Sequence, residues 1–179
     1  MTGRIDESVP FRALRIAIMT VSDTRTTSDD RSGDTLAERV LAAGHELAAR
    51  TIVRDDLAAI VAQLRAWIAD PGVEVVITTG GTGVTGRDVT PEALGQVAEK
   101  HIAGFGELFR MISFQKIGTS SLQSRADAAV AGGTYLFCLP GSPGACRDGW
   151  DEILRFQLDI RHRPCNFAEL IPRLQEHKA

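Results

Sequence analysis

The 179-residue chain is 44% hydrophobic and 24% charged, an ordinary composition for one globular domain. Its net charge is −3, with Lys and Arg scattered, so no basic field points to nucleic acid. No apolar run approaches the ~20 residues that cross a bilayer, and three cysteines without a C-x-x-C pair argue for reduced thiols in a cytoplasmic protein.

Residues 1–12 read as a polar lead-in whose Arg4, Asp6 and Glu7 leave no apolar stretch for a secretory leader. Residues 14–21 read as a mostly buried strand, and residues 22–33, dense in Ser, Thr, Asp and Arg, as a loop. A helix is expected from Asp34, with Leu36, Val40 and Leu41 on one face and Gly44 at its C-terminal cap. Residues 47–53 form a second strand. Asp55-Asp56 opens a helix whose apolar stripe is Ile60, Val61, Leu64, Trp67 and Ile68, and Asp70-Pro71-Gly72 stops it. Residues 73–78 are a near-continuous apolar run, suited to a parallel strand covered on both faces.

Gly80-Gly81-Thr82-Gly83 leaves that strand. Thr90 is the expected N-cap of the next helix, with Pro91 at its first position. A helix over 106–115 carries Leu108, Phe109, Met111, Ile112 and Phe114. Gly132-Gly133 joins two strands as a hairpin. Pro140-Gly141-Ser142-Pro143-Gly144 is a second turn-rich loop. A long helix with Trp150, Ile153, Leu154, Leu158 and Ile160 runs to Arg163-Pro164, and a polar tail follows. Alternating strands and helices predict an α/β sandwich, a single domain over 1–179 with peripheral tails at 1–12 and 168–179. Its ligand is expected at the carboxyl ends of the strands.

The glycine loop suits an anion, because amides can approach a phosphate where no Cβ intervenes. Gly81-Thr82-Gly83-Val84-Thr85-Gly86 matches G-x-G-x-x-G, but Pro91 starts the helix too late for a dinucleotide fold, and no Gly-Lys-Ser/Thr follows for a Walker A loop. Acids near phosphates repel unless a divalent cation sits between them. One of Asp55 and Asp56 is free of the capping role, and Asp88 has no evident structural job if Thr90 is the cap. Asp34 suits the helix dipole, and Asp29 and Asp30 suit a solvated loop. Ser120, Ser121, Ser124 and Arg125 read equally as turn chemistry or as donors to an anion. The scattered histidines and Cys138 read as structural. Cys146, near the second loop, reads first as core.

The segments Thr20-Val21-Ser22-Asp23, Thr78-Thr79-Gly80-Gly81-Thr82-Gly83, Asp88-Val89-Thr90-Pro91-Glu92-Ala93, Gly104-Phe105-Gly106-Glu107 with Arg110, Ser124-Arg125 and Pro140-Gly141-Ser142 occur in this order. Together they resemble the MoaB/MogA family of molybdenum-cofactor biosynthesis, related to the gephyrin G domain. Ala145-Cys146-Arg147, Gln157-Leu158-Asp159 and Arg163 to Phe167 look like the MoaB branch. The resemblance implies a three-layer α/β/α fold with a mostly parallel sheet. It implies a homo-oligomer, a hexamer ahead of a trimer, and contacts with other proteins of the pathway. It implies a molybdopterin adenylyltransferase, which joins the terminal phosphate of molybdopterin to AMP from MgATP, with a non-catalytic molybdopterin-binding or scaffold protein of the same fold as the alternative. By motif, Asp55 and Asp88 would be the catalytic acids and Mg²⁺ ligands. Ser22, Asp23, Thr79, Gly80, Gly81, Thr82, Gly83, Glu107, Ser124, Arg125, Pro140, Gly141 and Ser142 would bind the substrates.

Overall fold

The computed structural model describes residues 3–176. In chain order the elements are β1 (Arg4–Ile5), β2 (Arg15–Val21), α1 (Arg31–Ala42), β3 (Glu46–Val53), α2 (Leu57–Ile68), β4 (Val75–Thr79), α3 (Thr90–Val97), β5 (Lys100–His101) and α4 (Ala103–Ile117). After a 3-10 segment at Gly118–Gln123 come β6 (Asp127–Ala131), β7 (Thr134–Leu139) and α5 (Pro143–Gly149). A π-helical turn at Trp150–Leu154 leads to α6 (Arg155–Gln157), β8 (His162–Arg163) and α7 (Phe167–Leu170). No described helix is long and apolar enough to cross a membrane.

The main sheet has six strands in the order β3-β2-β4-β7-β6-β5. Strands β3, β2, β4 and β7 are mutually parallel, β6 is antiparallel to β7, and the edge strand β5 is antiparallel to β6. Side chains alternate across the sheet, so each strand feeds two cores. Ile16, Ile18, Val75, Ile77, Tyr135 and Phe137 pack against α1, α4, α5 and the π-helical turn through Leu36, Val40, Phe105, Phe109, Cys146 and Trp150. Ala17, Met19, Val76, Leu136 and Cys138 pack the other way, against Ile60, Leu64 and Trp67 of α2 and Leu94 of α3. Burial on both faces is why these strands read as unbroken apolar runs. The result is the expected three-layer α/β/α sandwich.

The register sets up the site. Thr20, Thr79 and Leu139 lie side by side, so β2, β4 and β7 end at the same level. From β2 the chain goes out to β3 and then returns past β2 to β4. That reversal opens a crevice at the strands' carboxyl ends.

Several expectations need correction. Helix α1 starts at Arg31, capped by the buried Asp30, whose carboxylate accepts from the Gly33 amide at 2.9 Å. Asp30 is therefore no solvated loop residue, and Leu41 is exposed instead of facing the core. Thr90 is the first residue of α3 and does not cap it. The last long helix stops at Gln157, well short of Arg163. Residues 1–12 are more than a lead-in, because β1 pairs antiparallel with β8. The expected tail also contributes to the core through buried Ala168, and its last residues, 177–179, lie outside the described region.

Candidate functional site

A pocket of about 510 Å³ opens at the carboxyl ends of β2, β4 and β7. The Gly80–Gly83 loop forms its floor, Pro140, Gly141 and Ser142 one side, and α4 with the following 3-10 segment the far wall. Gly80 has φ 103°, and a Cβ there would sit 2.2 Å from the Val21 carbonyl oxygen. Gly81 has φ 64°, and its Cβ would meet the Thr90 hydroxyl at 2.4 Å. Only glycine lets the chain turn this tightly beside β2.

All four carbonyls of this loop are taken by the protein. The Thr90 hydroxyl donates to Gly80 O at 2.9 Å, and the Thr90 amide to Gly81 O at 3.0 Å. The Arg125 amide donates to Thr82 O at 3.0 Å, and its Nε to Gly83 O at 2.7 Å. The Gly80 amide is spent on Leu139 O at 3.0 Å, so it is not free for a ligand as its place in the motif suggested. The Gly81 and Thr82 amides have no acceptor among the described residues, and both residues line the pocket. With carbonyls turned away and amides left over, this wall attracts anions.

Two carboxylates line the same pocket. Asp56 caps α2 by accepting from the Ala59 amide at 2.8 Å, which frees Asp55 from that task. Burial raises the Asp55 pKa, and the charges of Asp23 and Asp88 add to the rise. The Thr85 hydroxyl and amide hold Asp88 below the usual carboxylate range, at 2.6 and 2.9 Å. Asp88 thus has a structural job as well: it folds the exposed part of the loop. Neither acid is in an ion pair among the described residues, so donor chemistry fits a divalent cation. No described group of three or more His, Cys, Asp or Glu forms a closed metal cage. Phosphate oxygens and water would have to complete an Mg²⁺ shell here.

Gly80, Gly81, Thr82, Gly83, Asp55, Asp88, Ser124, Pro140, Gly141 and Ser142 all come together at this pocket. Thr79 lies just beneath, its hydroxyl 3.0 Å from Pro140 O and 3.1 Å from Cys146 Sγ. Burial pushes Cys146 up to about 11, so it serves as packing and not as a thiolate. The other candidates are placed elsewhere. The Ser22 hydroxyl accepts from the amides of Thr24 and Arg25 and shapes the β2–α1 loop. Asp23 pairs with Arg87 beside a neighbouring hollow. Arg125 clamps the glycine loop and Glu92 from behind. Glu107, exposed on α4, is not part of the pocket wall. Phe109, Ser113 and Ile117 line the pocket, and none of them is a site candidate in the sequence. They recur every four residues on α4, and a serine in that apolar row was the available signal.

The family described as "Probable molybdopterin binding domain" matches residues 17–160. Molybdenum cofactor biosynthesis protein B of Escherichia coli K12 is 51% identical over 160 residues, covering 89% of this chain and 94% of that protein. A crystal structure of a Molybdenum cofactor biosynthesis protein B superposes with TM-score 0.83 at 39% identity, over 92% of this chain and 98% of that one. A tungsten cofactor synthesizing protein MoaB from Pyrococcus furiosus superposes with TM-score 0.72 at 34% identity, over 82% and 92% of the two chains.

Proposed function

This chain belongs to the probable molybdopterin-binding domain family, within its MoaB/MogA-like members, and on that premise we propose that it acts in molybdenum-cofactor biosynthesis by adenylylating molybdopterin. The observation that carries the reading is the pocket wall in which the Gly81 and Thr82 amides are left free beside Asp55 and Asp88. Free amides suit phosphate oxygens, and two unpaired acids suit the metal that accompanies ATP.

An oxygen of the molybdopterin terminal phosphate attacks the α-phosphorus of ATP in line. A P–O bond forms there as the bond to the β-phosphate oxygen breaks, and pyrophosphate leaves. The Gly81 and Thr82 amides hold phosphate oxygens at the reacting centre. Asp55 and Asp88 are the residues that would hold Mg²⁺, whose charge offsets the negative charge of the phosphates. Phe109 and Pro140 give the pocket apolar walls against which a substrate can pack. No nucleophilic side chain is required, in keeping with the high pKa of Cys146.

The assay supplies ATP, Mg²⁺ and molybdopterin and follows pyrophosphate together with the adenylylated product. Asp88→Asn is expected to lower the rate by about 10²-fold or more at saturating Mg²⁺. An unchanged rate removes Asp88 from the mechanism. Tight molybdopterin binding with no ATP-dependent product selects a second reading, a binding protein without turnover. The engagement of Asp88 by Thr85 favours that second reading, since a carboxylate already bonded has less capacity for a metal.

Self-association is part of the proposal. Met111, Phe114, Ile117 and Leu122 leave a large apolar face exposed on and just after α4. Further copies of this chain are its proposed cover.

A further inference from the structure

Arg87 lies in the exposed stretch of the loop, immediately before Asp88. Its guanidinium is paired with the Asp23 carboxylate. Asp23 also accepts from the Asp55 amide at 3.3 Å, so the pair stands directly against the turn that carries a pocket acid. A second hollow, about 440 Å³, is lined by Asp23, Arg54, Asp56, Ala59 and Arg87. Asp55 lines the first pocket while its sequence neighbours Arg54 and Asp56 line this one. The two hollows therefore lie on either side of the backbone at residues 54–56.

Four aspartates, Asp23, Asp55, Asp56 and Asp88, crowd this junction. A polyphosphate reaching this junction is repelled by these carboxylates, and the side chains that attract it there are the two arginines. Arg54 has no ion-pair partner among the described residues. Arg87 has one, but its side chain is 69% exposed and that of Asp23 is 38% exposed. A pair so exposed is screened by solvent and costs both side chains their freedom, so exchanging Asp23 for another anion costs little. A guanidinium offers phosphate a forked, charge-assisted contact.

We propose that Arg87 leaves Asp23 when a nucleoside triphosphate binds and grips its pyrophosphate end in the hollow lined by Arg54, with Asp23 as the latch that parks Arg87 otherwise. The choice of a triphosphate rests on the adenylyl-transfer reading. With the reacting α-phosphate placed at the Gly81–Thr82 amides by that reading, the hollow beyond Asp55 offers the leaving group an outlet.

Calorimetric titration of the whole protein with ATP, AMP and inorganic pyrophosphate, each with Mg²⁺, tests it without turnover. Arg87→Gln should weaken ATP and pyrophosphate about tenfold or more and AMP less than about twofold, with Arg87→Lys between. Asp23→Asn should tighten ATP by roughly two- to fivefold, and the gain should vanish in the Asp23→Asn/Arg87→Gln double variant. A merely structural pair predicts instead that both single variants weaken all three ligands alike, and that result overturns the proposal. So does an unchanged pyrophosphate affinity in Arg87→Gln, or a wild-type protein that binds neither ATP nor pyrophosphate. Failure to form adenylylated product, with these binding shifts intact, sinks the catalytic reading and leaves the latch standing.

Discussion

At single residues, space and partners decide more than residue type. Gly80 sits at φ 103° against the backbone of Val21, so Gly80→Ala forces a rigid neighbour to move. We expect it to cost about 2 kcal/mol or more of stability and to abolish ligand binding, read by thermal melting and titration. Tyr135 offers the opposite case. Its ring is buried, its hydroxyl has no partner among the described residues, and burial pushes its pKa up to about 12. Removing an unpaired buried polar atom should help, so Tyr135→Phe is expected to stabilise by about 1 kcal/mol in denaturant melts. A clear loss of stability in that variant means the hydroxyl has a partner such as bound water. Asp55 and Asp56 are adjacent and chemically identical, yet only tertiary packing makes Asp56 a cap and Asp55 a pocket acid.

Among the elements, α1 is held by one buried acid. Asp30 accepts from the Gly33 amide, from the Thr20 hydroxyl at 2.7 Å and from Arg50 at 2.7 Å, so it ties α1 to β2 and β3. Burial acts to raise its pKa, but Arg50, Gly33 and Thr20 outweigh burial and hold it below the usual range. A group depressed on folding adds stability above its unfolded pKa, near ~3.9, and loses it as the pH falls through the lower folded value. Asp30→Ala should therefore cost about 2–4 kcal/mol at neutral pH, with the difference from wild type shrinking in strong acid. Urea melts at pH 7 and near pH 2 measure both ends. A constant difference across that range means that the lost contribution is packing and not charge. The cap is not legible in the sequence, because Asp29, Asp30 and Asp34 are all suitable residue types; Thr20 and Arg50, distant in sequence, select Asp30.

In the whole molecule, α4 leaves an apolar face exposed. Phe114 and Met111 are each 57% exposed. If other copies cover them, Met111→Glu/Phe114→Glu should shift the sedimentation profile towards monomer while circular dichroism stays the same. An unchanged assembly size places the interface elsewhere. Because Ile117 belongs both to this face and to the pocket wall, the same double variant should also weaken ligand binding modestly.

The sequence by itself determined the layering. Unbroken apolar strands, helices with one apolar stripe and glycine-rich strand ends can be satisfied by little besides a covered parallel sheet, and these are local patterns that any reader of the chain can see. It also determined the family, through motifs spread from Thr20 to Phe167. The tertiary structure alone decided how those motifs divide their work. It turned Arg125 to the back of the glycine loop, spent the Gly80 amide on β7, brought Phe109, Ser113 and Ile117 to the pocket, and joined Asp23 to Arg87. Each of these is a contact between residues far apart in the chain. Its outcome depends on which residues the whole fold brings within reach of one another, and no local pattern encodes that.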